Sequence, residues 1–95
     1  MLKELDPVMH SQLRLQIMSL LISVDSAEFN FLLKETGATR GNLSIQISKL
    51  KEAGYIDVSK SFRNNYPLTR CKITNKGVEA FENYVETIKE YLKLK

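Results

Sequence analysis

A mainly α-helical domain with one small β-hairpin is the fold class that this 95-residue sequence predicts. Three observations carry the prediction. Apolar residues recur at helical spacing near both ends of the chain. A glycine-bearing turn joins two helical patterns at 30–53. Between residues 55 and 73 the apolar period switches to two.

The first helix is expected to start at Asp6-Pro7, since Asp accepts N–H bonds and Pro suits a first turn. Val8, Leu13, Leu15, Ile17, Met18, Leu20, Leu21 and Ile22 give it a wide, largely buried stripe running to about Ser23. Ser26 to Phe29 is too short for a helix and reads as a brief strand. Asn30 is a good N-cap for a second helix, FLLKET, which Gly37 ends as a left-handed C′ residue. After the turn Gly37-Ala38-Thr39, Thr39 can cap a third helix, with Leu43, Ile47 and Leu50 on one face and Gly54 as terminator. Two helices joined by so short a turn form a helix-turn-helix.

In YIDVSKSF and LTRCKI, apolar and polar residues alternate, so both read as half-buried strands. The stretch Arg63-Asn64-Asn65-Tyr66-Pro67 is expected to be the loop between them. Thr74 then caps a last helix from about 75 to 94, with Val78, Phe81, Tyr84, Val85, Ile88, Tyr91 and Leu92 on its apolar side. The resulting order is helix, short strand, helix, helix, strand, strand, helix. That order is a winged helix-turn-helix, a single domain over 1–95 with its helix-turn-helix at about 30–53 and its wing at about 55–73.

The third helix opens on Arg40, Gly41 and Asn42, poor choices if stability alone mattered; the glycine costs about 1 kcal/mol against alanine. With Leu43, Ile47 and Leu50 turned inward, Gly41, Asn42, Ser44, Ile45, Ser48 and Lys49 face outward, and Arg40 lies at the exposed start. A purely structural helix usually shows Glu–Lys pairs there. Small, hydrogen-bonding groups instead suit a face that enters a major groove. Gly41 admits close approach of a phosphate to first-turn N–H groups. Thr39 and Asn42 can hydrogen-bond a phosphate or a base edge, and Arg40 can grip a phosphate or pair with guanine. Ser44 and Ser48 can contact bases, and Ile45 can pack on a thymine methyl.

Charge supports this placement. Residues 34–76 hold nine basic and three acidic side chains, whereas the flanks hold five basic and eight acidic ones. The whole chain carries only +3, so the asymmetry, rather than the total, points to a face for a polyanion. Lys60, Arg63, Arg70 and Lys72 lie on or near the hairpin, with Asn64 and Asn65 at its tip. They suit the adjacent minor groove or its phosphates. Tyr66 has two equal roles open to it, packing on the hairpin base or touching nucleic acid. Lys60 interrupts the inward phase of its strand and is expected to point into solvent.

Other function classes find little in the sequence. Its single histidine (His10) and single cysteine (Cys71) fall on distant elements, with no nucleophilic triad, phosphate-gripping glycine loop or clustered carboxylates. We therefore expect no enzyme, no metal site and no cofactor. His10 is expected at the surface of a helix entry and Cys71 in the core as a small filler. One cysteine excludes an intrachain disulfide and fits a reducing cytoplasm. MLKELDPVMH lacks the apolar stretch of a secretory signal, and no apolar run reaches 18 residues, so a cytoplasmic protein without a membrane span is expected.

The stretches LDPVMHSQLRLQIMSLL, TRGNLSIQISKLKEAGYIDV and YPLTRCKITNKGVEAF carry a resemblance. Together they make the chain similar to small winged-helix transcription regulators of the MarR and ArsR types, and they cover most of its length. The resemblance implies a homodimer on a near-palindromic operator, with the helix after Thr39 reading the major groove. Some positions depart from the family pattern. Gln12 stands where proline is common, Gln46 where histidine often occurs, and Cys71 where an aromatic residue is usual. The cysteine pairs of metal-sensing ArsR relatives are missing, so metal sensing does not carry over.

The ends of the chain point to the same dimer. Leu2 and Leu5 precede the first helix, while Tyr84, Ile88, Tyr91, Leu92 and Leu94 carry the last one past what a small core covers. Left exposed they make an apolar patch that monomers seldom tolerate, so the N- and C-terminal helices are expected to form a dimerisation layer. The sequence thus predicts a homodimeric regulator of double-stranded DNA. Two alternatives stay open: a winged-helix module for protein–protein contact, and a regulator that senses a ligand or a thiol oxidant.

Overall fold

Burial follows the periodicity closely in the computed structural model, which describes residues 1–93. Leu43, Ile47 and Leu50 are 0, 6 and 0% exposed and pin α3 (Arg40–Glu52) onto α1 (Gln12–Leu21) and α2 (Phe29–Thr36). Ile17, Met18, Leu21, Leu32, Ile56 and Cys71 complete the same core. A three-stranded antiparallel sheet in the order β1-β3-β2 closes one side, from β1 (Ala27–Glu28), β2 (Ile56–Arg63) and β3 (Tyr66–Ile73). The last helix, α4 (Asn75–Leu92), lengthens the molecule to 54 Å against 25 and 21 Å in the other directions.

Local chemistry explains the boundaries. Gly37 and Gly54 end α2 and α3 with φ of 69° and 80°, a region open to glycine at no steric cost. Thr39 caps α3 by accepting the Asn42 N–H at 3.2 Å, and Thr74 caps α4 by accepting the Gly77 N–H at 3.0 Å.

Three boundaries differ from the sequence expectation. The first helix begins at Gln12, not at Asp6-Pro7. Asp6 instead closes a separate turn, its Oδ1 accepting the Val8 N–H (2.9 Å) and its carbonyl the His10 N–H (2.8 Å). Arg14 donates to the carbonyls of Val8 (2.6 Å) and Pro7 (3.4 Å), occupying acceptors that a continuous helix would use itself. Met9 swings into the core, wholly buried. The second helix starts two residues early, at Phe29 with Glu28 in the N-cap position, so Asn30 is not its cap. The last helix ends at Leu92, and Leu94 lies outside the described residues.

The wing also differs. Its expected five-residue loop is a two-residue turn, Asn64-Asn65, with φ of 50° and 66°. Two successive left-handed residues mark the hairpin turn that matches strand twist, and asparagine tolerates that region best after glycine. Pro67 lies within β3, paired with Phe62. Because Arg63 and Tyr66 close the turn, alternation of the ladder directs the position of the missing Pro67 N–H to the free strand edge. No described helix is long and apolar enough to cross a membrane.

Candidate nucleic-acid interface

The outward face of α3 is built as its sequence implies. Arg40, Gly41, Asn42, Ser44, Ser48 and Lys49 are all exposed, as is the capping Thr39, and Ile45 is 55% exposed. Arg40 is steadied at the helix start. It donates to Asn30 Oδ1 (3.2 Å), and its guanidinium carbon sits 5.8 Å from the Phe29 ring centroid. Asn30, expected as a cap, therefore serves the first residue of α3.

Gly41 has no steric reason to be glycine within the domain. A Cβ there meets no atom within 4 Å. Gly41→Ala is therefore expected to raise stability by up to ~1 kcal/mol through helix propensity alone. The same change is expected to weaken DNA binding. Urea unfolding and DNA titration on one preparation check both, and unchanged affinity would remove Gly41 from the interface.

Strand register divides the wing residues between two faces. Lys60 pairs with Thr69 and Phe62 with Pro67 on the same face as Ile56, Val58 and Cys71, the side turned toward α3. Lys60 is exposed there, beyond the last core residue. Arg63 and Arg70 fall on the opposite face with Tyr66 and Ser59. Both reach Glu28, at 3.4 and 3.6 Å, and Arg70 also donates to Ser26 Oγ at 3.2 Å. The expected basic wing is thus brought together only in part. The two arginines form a cluster with an acid, while Lys60 stands with the α3 face. Ion pairs this exposed are worth about 0–1 kcal/mol, so a phosphate can displace Glu28. Asn64 and Asn65 are exposed at the turn. Tyr66 is 76% exposed and does not pack on the hairpin base; Phe62 is equally exposed.

Between α3 and the wing lies a concavity of about 580 Å³, lined among others by Arg40, Ser44, Ser48, Lys51, Lys60 and Thr69. Lys51 escaped the sequence reading. Its spacing from Ser44 and Ser48 (i+7 and i+3) is the signal that places it on their flank. Arg14 and Gln46 escaped too: Arg14 Nη1 donates to Gln46 Oε1 (2.5 Å) and Gln46 Nε2 to Asn42 Oδ1 (2.9 Å). The spacing of Gln46 from Asn42 shows that they are neighbours, but no pattern reveals Arg14, 32 residues from Gln46.

The sequence family described as "Winged helix DNA-binding domain" matches residues 13–92. The chain belongs to that family. An uncharacterized protein of Methanocaldococcus jannaschii (MJ0432) is 37% identical over 86 residues, spanning 90% of this chain and 94% of its own. The transcriptional regulator homologue protein from Pyrococcus horikoshii OT3 superposes with a TM-score of 0.84 at 27% identity, over 90% of this chain and 85% of that one. A possible transcriptional regulator from Methanosarcina mazei Go1 shares the fold, with a TM-score of 0.63, 14% identity and coverage of 90% and 76%. The resemblance to small winged-helix regulators thus holds, and a DNA-binding regulator is the function class it supports.

In this winged helix, the residues expected at a dimer interface separate. Tyr84 is only 8% exposed, and its hydroxyl lies 2.9 Å from His10 Nδ1, so it belongs to the core of the domain itself. Leu5 and Ile88 pack against that core as well. Leu2, Tyr91 and Leu92 remain exposed, at 40, 37 and 59%. Cys71 is fully buried, and burial pushes its thiol up to about 11, well away from the reactive thiolate. Burial also pushes the Tyr55 hydroxyl up to about 12, helped by its hydrogen bond to Asp6 and the nearby negative charge. It stays protonated and ties the α3–β2 corner to the N-terminal turn. Among the described residues no group of three or more His, Cys, Asp or Glu side chains is placed to hold a metal ion.

Proposed function

We propose that this chain is a sequence-specific regulator of transcription that binds double-stranded DNA as a homodimer. In this reading α3 enters the major groove, with the wing on the flanking minor groove or phosphates. The observation that carries it is the outward face of α3: a capped first turn with exposed Arg40, Gly41 and Asn42, followed by exposed Ser44, Ile45 and Ser48, none of them serving the core. Lys49, Lys60 and the displaceable Arg63 and Arg70 supply phosphate partners. Leu2, Tyr91 and Leu92 support pairing of two copies through the end of α4. Such a pair sets its recognition helices roughly 34 Å apart, one turn of DNA.

The test is a salt titration of binding to random duplex DNA, followed by selection of bound fragments. The expected results are a log–log slope of roughly −5 or steeper and a two-fold symmetric enriched site. In the same assay Arg40→Ala and Asn42→Ala each weaken the selected site by about 1–3 kcal/mol more than random DNA, whereas Arg63→Ala weakens all sequences alike. A flat salt response with no enriched site overturns the proposal. The exposed Phe62 and Tyr66 favour one second reading, docking on a protein partner, because aromatic anchors dominate such contacts. That outcome pairs a flat salt response with loss of partner binding in Phe62→Ser.

A further inference from the structure

We infer that Arg14 and Gln46 fix the hydrogen-bonding polarity of Asn42, so that Asn42 reads a keto base, guanine or thymine, and not an amino base. The inference rests on the DNA-binding reading above and concerns which base one position of α3 selects.

A carboxamide side chain normally offers both an acceptor and two donors, and it can turn over to present either one. That freedom is what allows Asn to pair bidentately with adenine. Here it is removed step by step. A guanidinium has donors and no acceptor. Arg14 is locked in place by the Val8 and Pro7 carbonyls of the N-terminal turn, and its Nη1 meets Gln46. The Gln46 atom facing Arg14 must therefore be Oε1, which leaves Nε2 toward Asn42. The Asn42 atom facing Gln46 must in turn be Oδ1. The Asn42 backbone N–H is committed to the Thr39 cap. What remains for a ligand is the Asn42 NH2 group, on an exposed residue in the first turn of the outward helix.

Asn42 thus turns its NH2 outward, with Oδ1 held toward Gln46. In the major groove guanine offers acceptors at N7 and O6, and thymine at O4. Adenine sets a donor beside its N7 acceptor, and cytosine offers a donor. A donor turned toward the groove favours the keto bases, whose hydrogen-bonding groups there are all acceptors. Arg14 is a positioning residue: it touches no DNA in this scheme and acts through Gln46.

Gln46→Glu reverses the relay. The carboxylate accepts from Arg14 on one side and from the Asn42 NH2 on the other, turning Asn42 Oδ1 outward as an acceptor. Bound-fragment selection is run on the wild type, Gln46→Glu and Asn42→Ala, with thermal melting to verify folding. Asn42→Ala identifies the base pair that Asn42 reads, by loss of preference there alone. At that pair the wild type is expected to enrich guanine or thymine on the contacted strand. Gln46→Glu is expected to move the preference to adenine or cytosine, by roughly tenfold, leaving the other positions unchanged. Arg14→Lys, which also carries only donors, is expected to retain the wild-type preference. An identical preferred pair in wild type and Gln46→Glu overturns the relay while leaving DNA recognition intact. So does an Asn42→Ala loss spread equally over all sequences, which places Asn42 on a phosphate. No enriched site for the wild type overturns the DNA reading and this inference with it.

Discussion

Gly77→Ala is expected to remove about 3 kcal/mol of folding stability, a large part of the ~5–15 kcal/mol that holds such a domain together. Gly77 sits buried in the first turn of α4. The methyl carbon that alanine adds falls 2.1 Å from the Tyr55 carbonyl oxygen and 2.9 Å from Ile73 Cγ1. The first of these is backbone and cannot rotate aside. Relief requires moving the start of α4 away from the α3–β2 corner. That corner is where the Thr74 N–H donates to Tyr55 O (3.0 Å) and the Thr74 hydroxyl to Gly54 O (2.6 Å). The substitution therefore adds overpacking to the loss of hydrogen bonds that seat the helix. Urea unfolding measures it as a lower midpoint at unchanged slope. A loss under about 1 kcal/mol would mean that α4 is not seated on this corner in solution.

Leu50→Ala is expected to cost about 2–5 kcal/mol, in the range for a fully buried leucine that leaves a cavity behind. Leu50 is the last inward residue of α3, and its carbonyl also accepts the Tyr55 N–H (3.0 Å). The outcome has two parts. Urea unfolding shows the stability loss. Below the lowered melting temperature the selected DNA site stays the same, since Leu50 faces away from the exposed row of Arg40 to Lys49. An altered site in the folded variant would show that core packing and the proposed base reading are not separable in α3.

Much of this architecture is legible from short-range chemistry. Thr39, Gly37, Gly54 and Thr74 each mark a helix end by a mechanism confined to a few residues, and the structure places all four as expected. The inward triplet Leu43, Ile47 and Leu50 follows from helical spacing alone. The failures arise where distant groups compete with a local signal. Asp6-Pro7 has the chemistry of a helix start, but Arg14 takes the carbonyls of Pro7 and Val8 and Met9 enters the core, so a turn forms in its place. Pro67 signals a loop, yet a free strand edge tolerates it. Tyr84 looks like a residue for another subunit because its fit against His10, 74 residues away, has no local trace. The arrangement of the candidate residues was readable on α3, where one helix defines the face. On the wing it was not, because the side of the sheet each residue takes depends on a register set by the Asn64-Asn65 turn, and because Glu28 comes from another strand.

The separation of α3 into an inward triplet and an outward row has an evolutionary consequence. Residues 41, 44, 45, 48 and 49 are exposed and can be exchanged one at a time without disturbing the core, so on the proposed reading descendants of this domain drift toward new DNA targets through single, viable steps. The linked pair Asn42 and Gln46 is the exception. On the proposed relay a change at either alters what the other presents, and lineages that retarget this position are expected to carry substitutions at both.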